Sequence, residues 1–482
     1  MRRIAILFLA IALIVALVIP SAAYAGGPRC KPPATPGVGP IVFVHGGAGS
    51  AQQFESQAMR FTSNGWPQEL LFAFEYDSTF ATQPLPDVVL RLDAFIDGVR
   101  AQTGAEKVYL MGHSLGTTVS HTYLSDPARA AKIARYVNLD GRTADGLPGG
   151  VPTLALWAGA GWSYNASAQI VGATNIHLTR QTHVQVATSP EAFAAMYEFF
   201  TGQAPVTTDI LPEPPGQVRI AGRAVFFPAN KGVGDATVEI WEVNPVTGYR
   251  VYDEPTATCT ITGTGYYDGA WGPVQVNGLR HYEIVLLREG ARAHHFYFEP
   301  FMRSDYFVRL QTSPPGGIGD QMERGPNSGA LVITRQKEFW GDQGVDNDVL
   351  TINGINVVNA ATCPLIKGIY RTGVVGIFAY DRYLNGITDL SAPIPYFYAT
   401  SFMTGVDIYI PAADPPHGTT SLVLMARGGG GKTQVINIPN WASLTHSVSV
   451  VFNDYVQEID SWPKYVPRQS PGQNKRVMHL PI

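Results

Sequence analysis

The chain has 482 residues, a formal net charge of −4 and 15% charged residues, with no basic run. That length calls for more than one domain, and the charge balance argues against a nucleic-acid partner. Its three cysteines show no CxxC or Cys/His spacing, so no zinc centre is expected.

Residues 1–25 read as a secretory signal. Arg2 and Arg3 precede an apolar core over 4–19, Pro20 breaks it, and Ala23-Tyr24-Ala25 offers a small–x–small cleavage site. The apolar run is short for a membrane span. The mature chain is therefore expected to start near Gly26, outside the cytoplasm, where disulfides persist. Three cysteines allow one internal pair; Cys259–Cys363 is preferred because both fall in β-rich sequence, leaving Cys30 over.

Residues 27–202 alternate strand-like and helix-like segments. Apolar strands are expected at 40–45, 69–76, 108–111, 136–139, 152–157 and 175–178, with helices at 86–100 and 190–200. Continuous apolar strands alternating with helices mean a compact parallel sheet of about six strands, covered on both faces. Residues 203–216, proline-rich and polar, read as a linker. Beyond them, short strands separated by Gly, Asn, Pro and Asp turns run to the end. An all-β region, sandwich or barrel, is expected there. Its length divides into modules over 217–300 and 301–482.

The strand at 108–111 runs into Gly112-His113-Ser114-Leu115-Gly116 and then a helix-like segment. This is G-x-S-x-G in a strand–turn–helix setting, a turn that strains the serine backbone and exposes its hydroxyl as a nucleophile. The base expected for Ser114 is His183, which follows the last strand and precedes the closing helix. His177 lies inside that strand, and His121 sits two turns into the helix after Ser114. The acid expected is Asp140, at the carboxyl end of the strand following the nucleophile, where catalytic groups gather in open α/β sheets. Asp145 is the alternative, with Asp140-Gly141 then a plain turn. The loop His45-Gly46-Gly47-Ala48-Gly49-Ser50 follows the first strand, and the Gly47 and Leu115 N–H groups are the expected oxyanion donors. Residues 428–433 (GGGGKT) lack the first glycine and the following helix of a phosphate loop. Asp342, Asp346 and Asp348 lack EF-hand spacing and read as turn acids. His294-His295 reads as part of an aromatic strand.

HGGAGS (45–50), GHSLGTT (112–118), VNLDG (137–141) and RQTHVQ (180–185) together resemble the lipase branch of the α/β-hydrolases. The added β region resembles that of the archaeal two-domain lipases, and 218–287 looks like a prealbumin-type sandwich. The resemblance implies a serine ester hydrolase, a lipase or carboxylesterase needing no cofactor. It also implies long-chain acyl ester or lipid substrates, with the β region helping to cover the acyl site and meeting a lipid surface. Two other readings stay open: a polyester esterase, and a β-module that binds a surface or glycan beside a degenerate hydrolase. The loop 77–86 is the one lid candidate in the hydrolase part. Some of Phe296, Tyr297, Phe298, Tyr396, Phe397 and Tyr398 are expected at the catalytic mouth. Truncation after Gly202 is expected to spare short-chain esters and lose long-chain ones.

Overall fold

The computed structural model describes residues 38–263, 265, 268–367, 372–429 and 431–454. The expected signal, its cleavage site and Cys30 lie outside the described residues. In the first part, β1 (Ile41–Val44), α1 (Glu55–Ser63), β2 (Leu71–Phe74), α2 (Leu85–Thr103), β3 (Val108–His113), α3 (Leu115–Leu124), α4 (Pro127–Ala130), β4 (Ile133–Leu139), β5 (Thr153–Gly159), β6 (Thr174–Thr179), α5 (Gln185–Thr188) and α6 (Pro190–Thr201) follow one another. The six strands form one parallel sheet in the order β2-β1-β3-β4-β5-β6, as the apolar strand pattern predicts.

Side chains of successive strand residues point to opposite faces. Ile41 and Phe43 of β1 therefore join a core with Phe61 of α1 and Phe193 and Met196 of α6. Val42 and Val44 join the other core, with Leu92 and Ile96 of α2 and Val119 of α3. Helix ends are set locally. Ser189 Oγ accepts from the Ala192 N–H at 3.1 Å to open α6, and Gly202 at φ 77° closes it. The chain leaves β1 toward β2 and then crosses back to β3. The carboxyl ends of β1 and β3 thus flank the point where strand order reverses, where open α/β sheets keep their ligand crevice.

The β region contains β7 (Arg219–Phe226), β8 (Lys231–Gly232), β9 (Ala236–Val243), β10 (Ala257–Ile261), β11 (Ala270–Gln275), β12 (His281–Arg288), β13 (Ala293–Phe298), β14 (Asp305–Thr312), β15 (Ala330–Phe339), β16 (Val349–Ile352), β17 (Ile355–Asn356) and β18 (Val374–Tyr380). After α7 (Pro395–Ala399) come β19 (Met403–Asp407), β20 (Thr419–Met425), β21 (Gln434–Pro439) and β22 (His446–Val451). An eight-stranded sheet, β10-β9-β12-β13-β22-β15-β18-β19, runs through the whole region. One half packs on β11-β7-β14 around Val238, Ile284 and Phe296. The other half packs on β17-β16-β20-β21 around Ile333, Leu422 and Val450.

The module boundary expected at residue 300 needs correction. β14 pairs in parallel with β7, so the first sandwich continues to Thr312. β22, late in the chain, inserts in parallel between β13 and β15 and joins the two sandwiches. The preferred Cys259–Cys363 disulfide is absent. Cys259 lies at the edge of the first sandwich core and Cys363 inside the second, both as free thiols. The described residues of the stretch 428–433 lie between β20 and β21, which pair antiparallel.

The β region is built onto the α/β part. Phe307 of β14 belongs to the core beneath α1, meeting Phe43 edge-on at 5.6 Å. Arg309 donates to the buried Glu75 carboxylate at 2.6 Å. The linker is tied down as well: Arg60 Nε donates to Thr208 O, and Asn64 Nδ2 to Thr207 O.

Candidate active site

Ser114 sits between β3 and α3 with φ 53° and ψ −122°, a left-handed region costly for a non-glycine residue. The flanking glycines follow from crowding. A Cβ on Gly116 would lie 2.3 Å from the Val44 carbonyl oxygen, and one on Gly112 would lie 2.7 Å from Ser120 Oγ. The turn is held by the Ser114 N–H donating to Leu139 O at 3.0 Å and by Thr117 N–H and Oγ1 donating to Ser114 O. Ser114 and Leu115 stay partly exposed while Gly112, His113 and Gly116 are buried.

Asp140 stands just past β4, itself at φ 39°. Its Oδ2 accepts from His183 Nδ1 at 2.6 Å and from Ser163 Oγ at 2.5 Å, and its Oδ1 accepts from the Ala158 N–H at 2.7 Å. Burial pushes this carboxyl up, but the His183 bond and charge, with the Ser163 and Ala158 donors, outweigh it and hold it below its ordinary range. His183 is 2% exposed, and its Nε2 has no hydrogen-bond partner among the described residues. With Nδ1–H spent on Asp140, Nε2 is the nitrogen that carries the acceptor lone pair. The ring lies against Trp162 at 4.4 Å, His113 at 4.6 Å and Phe402 at 6.1 Å.

The loop after β1 is fixed nearly donor by donor. Gly46 N–H donates to Gln53 Oε1, Ala48 N–H to Ser78 Oγ, Gly49 N–H to Gly46 O and Ala51 N–H to Glu75 Oε1. Among the described residues the Gly47 and Leu115 N–H groups take no such acceptor. The Leu115 side chain reaches the Gly47 backbone, where an added Cβ would stand 3.9 Å from Leu115 Cδ2. Gln53 also links this loop to the histidine. Its Nε2 donates to His113 Nδ1 at 2.7 Å, and His113 Nε2 then donates to His183 O at 2.8 Å. Burial, then the His183 charge, push His113 down to about 3, so it stays neutral.

Three groups of the β region complete these surroundings. Glu338 of β15 accepts from Thr182 Oγ1 at 2.5 Å and from the Val184 N–H at 3.2 Å, gripping both neighbours of His183. Phe402, just before β19, stacks on His183. Asn230 Nδ2 donates to Gly49 O at 2.7 Å and lies 3.2 Å from His45 Nε2. His45 Nε2 is also 3.3 Å from Glu75 Oε2. Burial pushes the Glu75 carboxyl up, but Arg309 and His45 beside it bring it well below its ordinary range.

Sequence reasoning missed Gln53, Trp162, Glu338 and Phe402. No motif marks them; Trp162 alone had a local signal, an aromatic side chain directly after the Gly-Ala-Gly that ends β5. The rivals lie elsewhere. His177 Nε2 bonds Ala168 O, His121 Nε2 bonds Asn138 Oδ1, and Asp145 is exposed. The aromatic residues expected at the mouth are mostly core. Phe296, Tyr297, Phe298 and Phe397 are buried within sheet cores, while Tyr396 is exposed and Tyr398 lies by Lys367. The lid candidate is knotted around Asp77, which accepts from the N–H and Oγ1 of both Thr79 and Thr82. Asp348 is spent on Arg335 at 2.7 Å and Arg427 at 2.5 Å, and Asp346 on Arg180. His295 bonds Glu283 inside β13's sheet.

A class 2 lipase family model matches residues 38–126, a lipase C-terminal domain model matches 216–315, and a further C-terminal domain model matches 317–456. The second match ends after β14, in agreement with its pairing to β7. Among solved structures, Bacillus licheniformis lipase BlEst2 is 16% identical with a TM-score of 0.29, over 36% of this chain and 96% of that one. Aspergillus fumigatus lipase B is 14% identical with a TM-score of 0.28, over 36% of this chain and 54% of that one. The chain thus spans about half the length of that lipase. A predicted CIB-like hydrolase from Thermoplasma acidophilum is 14% identical with a TM-score of 0.27, over 35% of this chain and 89% of that one. The class 2 lipase match spans the Ser114 turn and the lipase C-terminal domain match covers the first β sandwich, so over these two stretches the chain is similar to lipases.

Proposed function

We propose that this chain is a secreted serine hydrolase of acyl esters, a lipase or carboxylesterase. The observation that carries the reading is the Asp140–His183 bond of 2.6 Å, with His183 Nε2 left unpartnered, at the same end of the sheet as the strained Ser114 turn. In this mechanism His183 Nε2 takes the proton of Ser114 Oγ as that oxygen attacks the ester carbonyl carbon. Asp140 keeps Nδ1 protonated and stabilises the imidazolium. The carbonyl oxygen becomes an oxyanion, which the Gly47 and Leu115 N–H groups receive. The C–O bond to the alcohol breaks, and His183 returns its proton to the leaving oxygen. His183 then deprotonates a water that attacks the acyl-serine, freeing the carboxylic acid and Ser114.

Trp162 and Phe402 give the histidine an apolar cover, which favours an acyl chain over a polar substrate there. Residues 1–25 carry the export part of the reading, and recovery of the cleaved chain from culture medium tests it. The chemistry is tested by labelling with a fluorophosphonate and mapping the adduct. A single adduct on Ser114 that Ser114→Ala abolishes is the expected result. An unlabelled folded protein would overturn the reading.

A further inference from the structure

The eight-stranded sheet bears a cavity of about 600 Å³, lined entirely by β-region residues and the segments between their strands. That is ample for a small organic ligand. Its floor crosses β13, β22, β15, β18 and β19. Four inter-strand steps of about 4.8 Å make the floor roughly 19 Å wide.

The two ends differ in chemistry. At the β12–β13 end stand Arg288, Arg292 and Arg324, faced by one carboxylate, Asp320. Asp320 lies 3.6 Å from Arg292. Among the described residues no carboxylate comes within ion-pair distance of Arg288 or Arg324, and each keeps a buried Nε–H without an acceptor. Their remaining bonds go to neutral oxygens: Arg324 to Gly319 O, Ser443 O and His446 O, Arg288 to Thr312 Oγ1 and Ser313 O. Burial, then the charge of Arg292, push Arg324 down to about 10, with Asp320 only partly opposing. Three part-buried guanidiniums against the single carboxylate of Asp320 leave an excess of positive charge that an anion relieves. At the β18–β19 end the lining is Val332, Phe378 and Met403, with Ile318 and Met322 from the segment that roofs the cavity. Met403 follows Phe402, the ring stacked on His183, so the apolar end begins one residue from the catalytic surround.

We infer that this cavity binds a long-chain carboxylate, a fatty acid, with its carboxylate among Arg288, Arg292 and Arg324 and its chain across β15 and β18 toward Met403. It is a site separate from the one where Ser114 acts. That the ligand is the enzyme's own product rests on the proposed ester hydrolysis; the binding itself does not.

The test uses the full-length protein and a photoactivatable oleate carrying a diazirine on its chain, with cross-links mapped by mass spectrometry. Equilibrium dialysis with oleate, oleyl alcohol and octanoate accompanies it. Cross-links on the peptide containing Phe378 are expected, along with at least tenfold weaker binding of oleyl alcohol and of octanoate. Arg288→Gln, at the charged end, and Val332→Trp, which fills the floor, should each weaken this oleate site at least tenfold. Both should leave butyrate ester turnover within about twofold. Cross-links confined to Trp162 or other catalytic-site peptides would overturn the inference, since they would leave one fatty-acid site only. So would oleate binding indifferent to both variants in protein that melts normally. A cross-link map on unaltered protein decides the matter even where a variant fails to fold. If fluorophosphonate fails to label Ser114 while oleate still maps to this cavity, the hydrolase reading falls and this one stands.

Discussion

At the residue scale, the proposed chemistry rests on side chains whose backbones are strained. Ser114 and Asp140 both have positive φ, and neither is glycine. Such positions persist only where the surroundings over-determine them. Ser114→Ala should therefore abolish ester hydrolysis without loss of fold, as checked by kcat on a soluble ester beside a thermal melt. Asp140→Asn keeps the size but loses the charge and the control of the His183 tautomer. It should lower kcat on the order of 10⁴-fold, while the exposed Asp145→Asn leaves kcat unchanged. The reverse order would make Asp145 the acid. His113 supplies a pH prediction. Its folded pKa, about 3, lies below that of an unfolded histidine, so between about 6.5 and 3 the unfolded chain binds the extra proton. Stability contributed by neutral His113 is complete above that window and falls by about 1.4 kcal/mol per pH unit on descending through it. Urea unfolding at pH 7, 5.5 and 4.5 should show this slope, and His113→Asn should flatten it.

At the scale of elements, the segment carrying His183 is held as much by β15 as by its own domain. Glu338 is 1% exposed and satisfies Thr182 and Val184 together. Glu338→Ala leaves the buried Val184 N–H without its side-chain acceptor and Thr182 Oγ1 with Gln185 Oε1 alone, at a cost of about 1–3 kcal/mol. It also frees the base to wander, and misplacement of a catalytic group by about 1 Å can cost 10²-fold. The expected result is a fall in kcat of about 10–100-fold with KM little changed, and partial recovery in Glu338→Gln, which keeps an acceptor oxygen. A variant that loses stability but keeps kcat would give Glu338 a purely architectural role. Arg309 and Glu75 do the parallel work for the loop after β1. Arg309→Met strands a buried carboxylate and should lower stability by about 3–5 kcal/mol in chemical unfolding.

At the scale of the whole molecule, these contacts change what truncation should do. Read as a cover over an acyl site, the β region would be dispensable for short esters. The structure instead puts Phe307 inside the hydrolase core, Arg309 against Glu75, Glu338 beside His183 and Asn230 on the glycine loop. A chain ending at Gly202 should therefore lose butyrate and palmitate ester hydrolysis alike and expose apolar surface, as dye binding would report. Selective loss of palmitate activity alone would restore the cover model. The amino-acid sequence by itself determined the parallel sheet of six strands, the strained turn at Ser114, and the pairing partners Asp140 and His183 at strand ends. It could do so because hydrophobic period, glycine crowding and strand–turn–helix order are local properties. Tertiary structure decided the rest: β14 returning to β7, β22 entering between β13 and β15, the separation of Cys259 from Cys363, and the arrival of Glu338 and Phe402 at His183. Those depend on which strands pair across long stretches of chain. Pairing is settled by the fit of whole faces, which a strand's own residues do not encode.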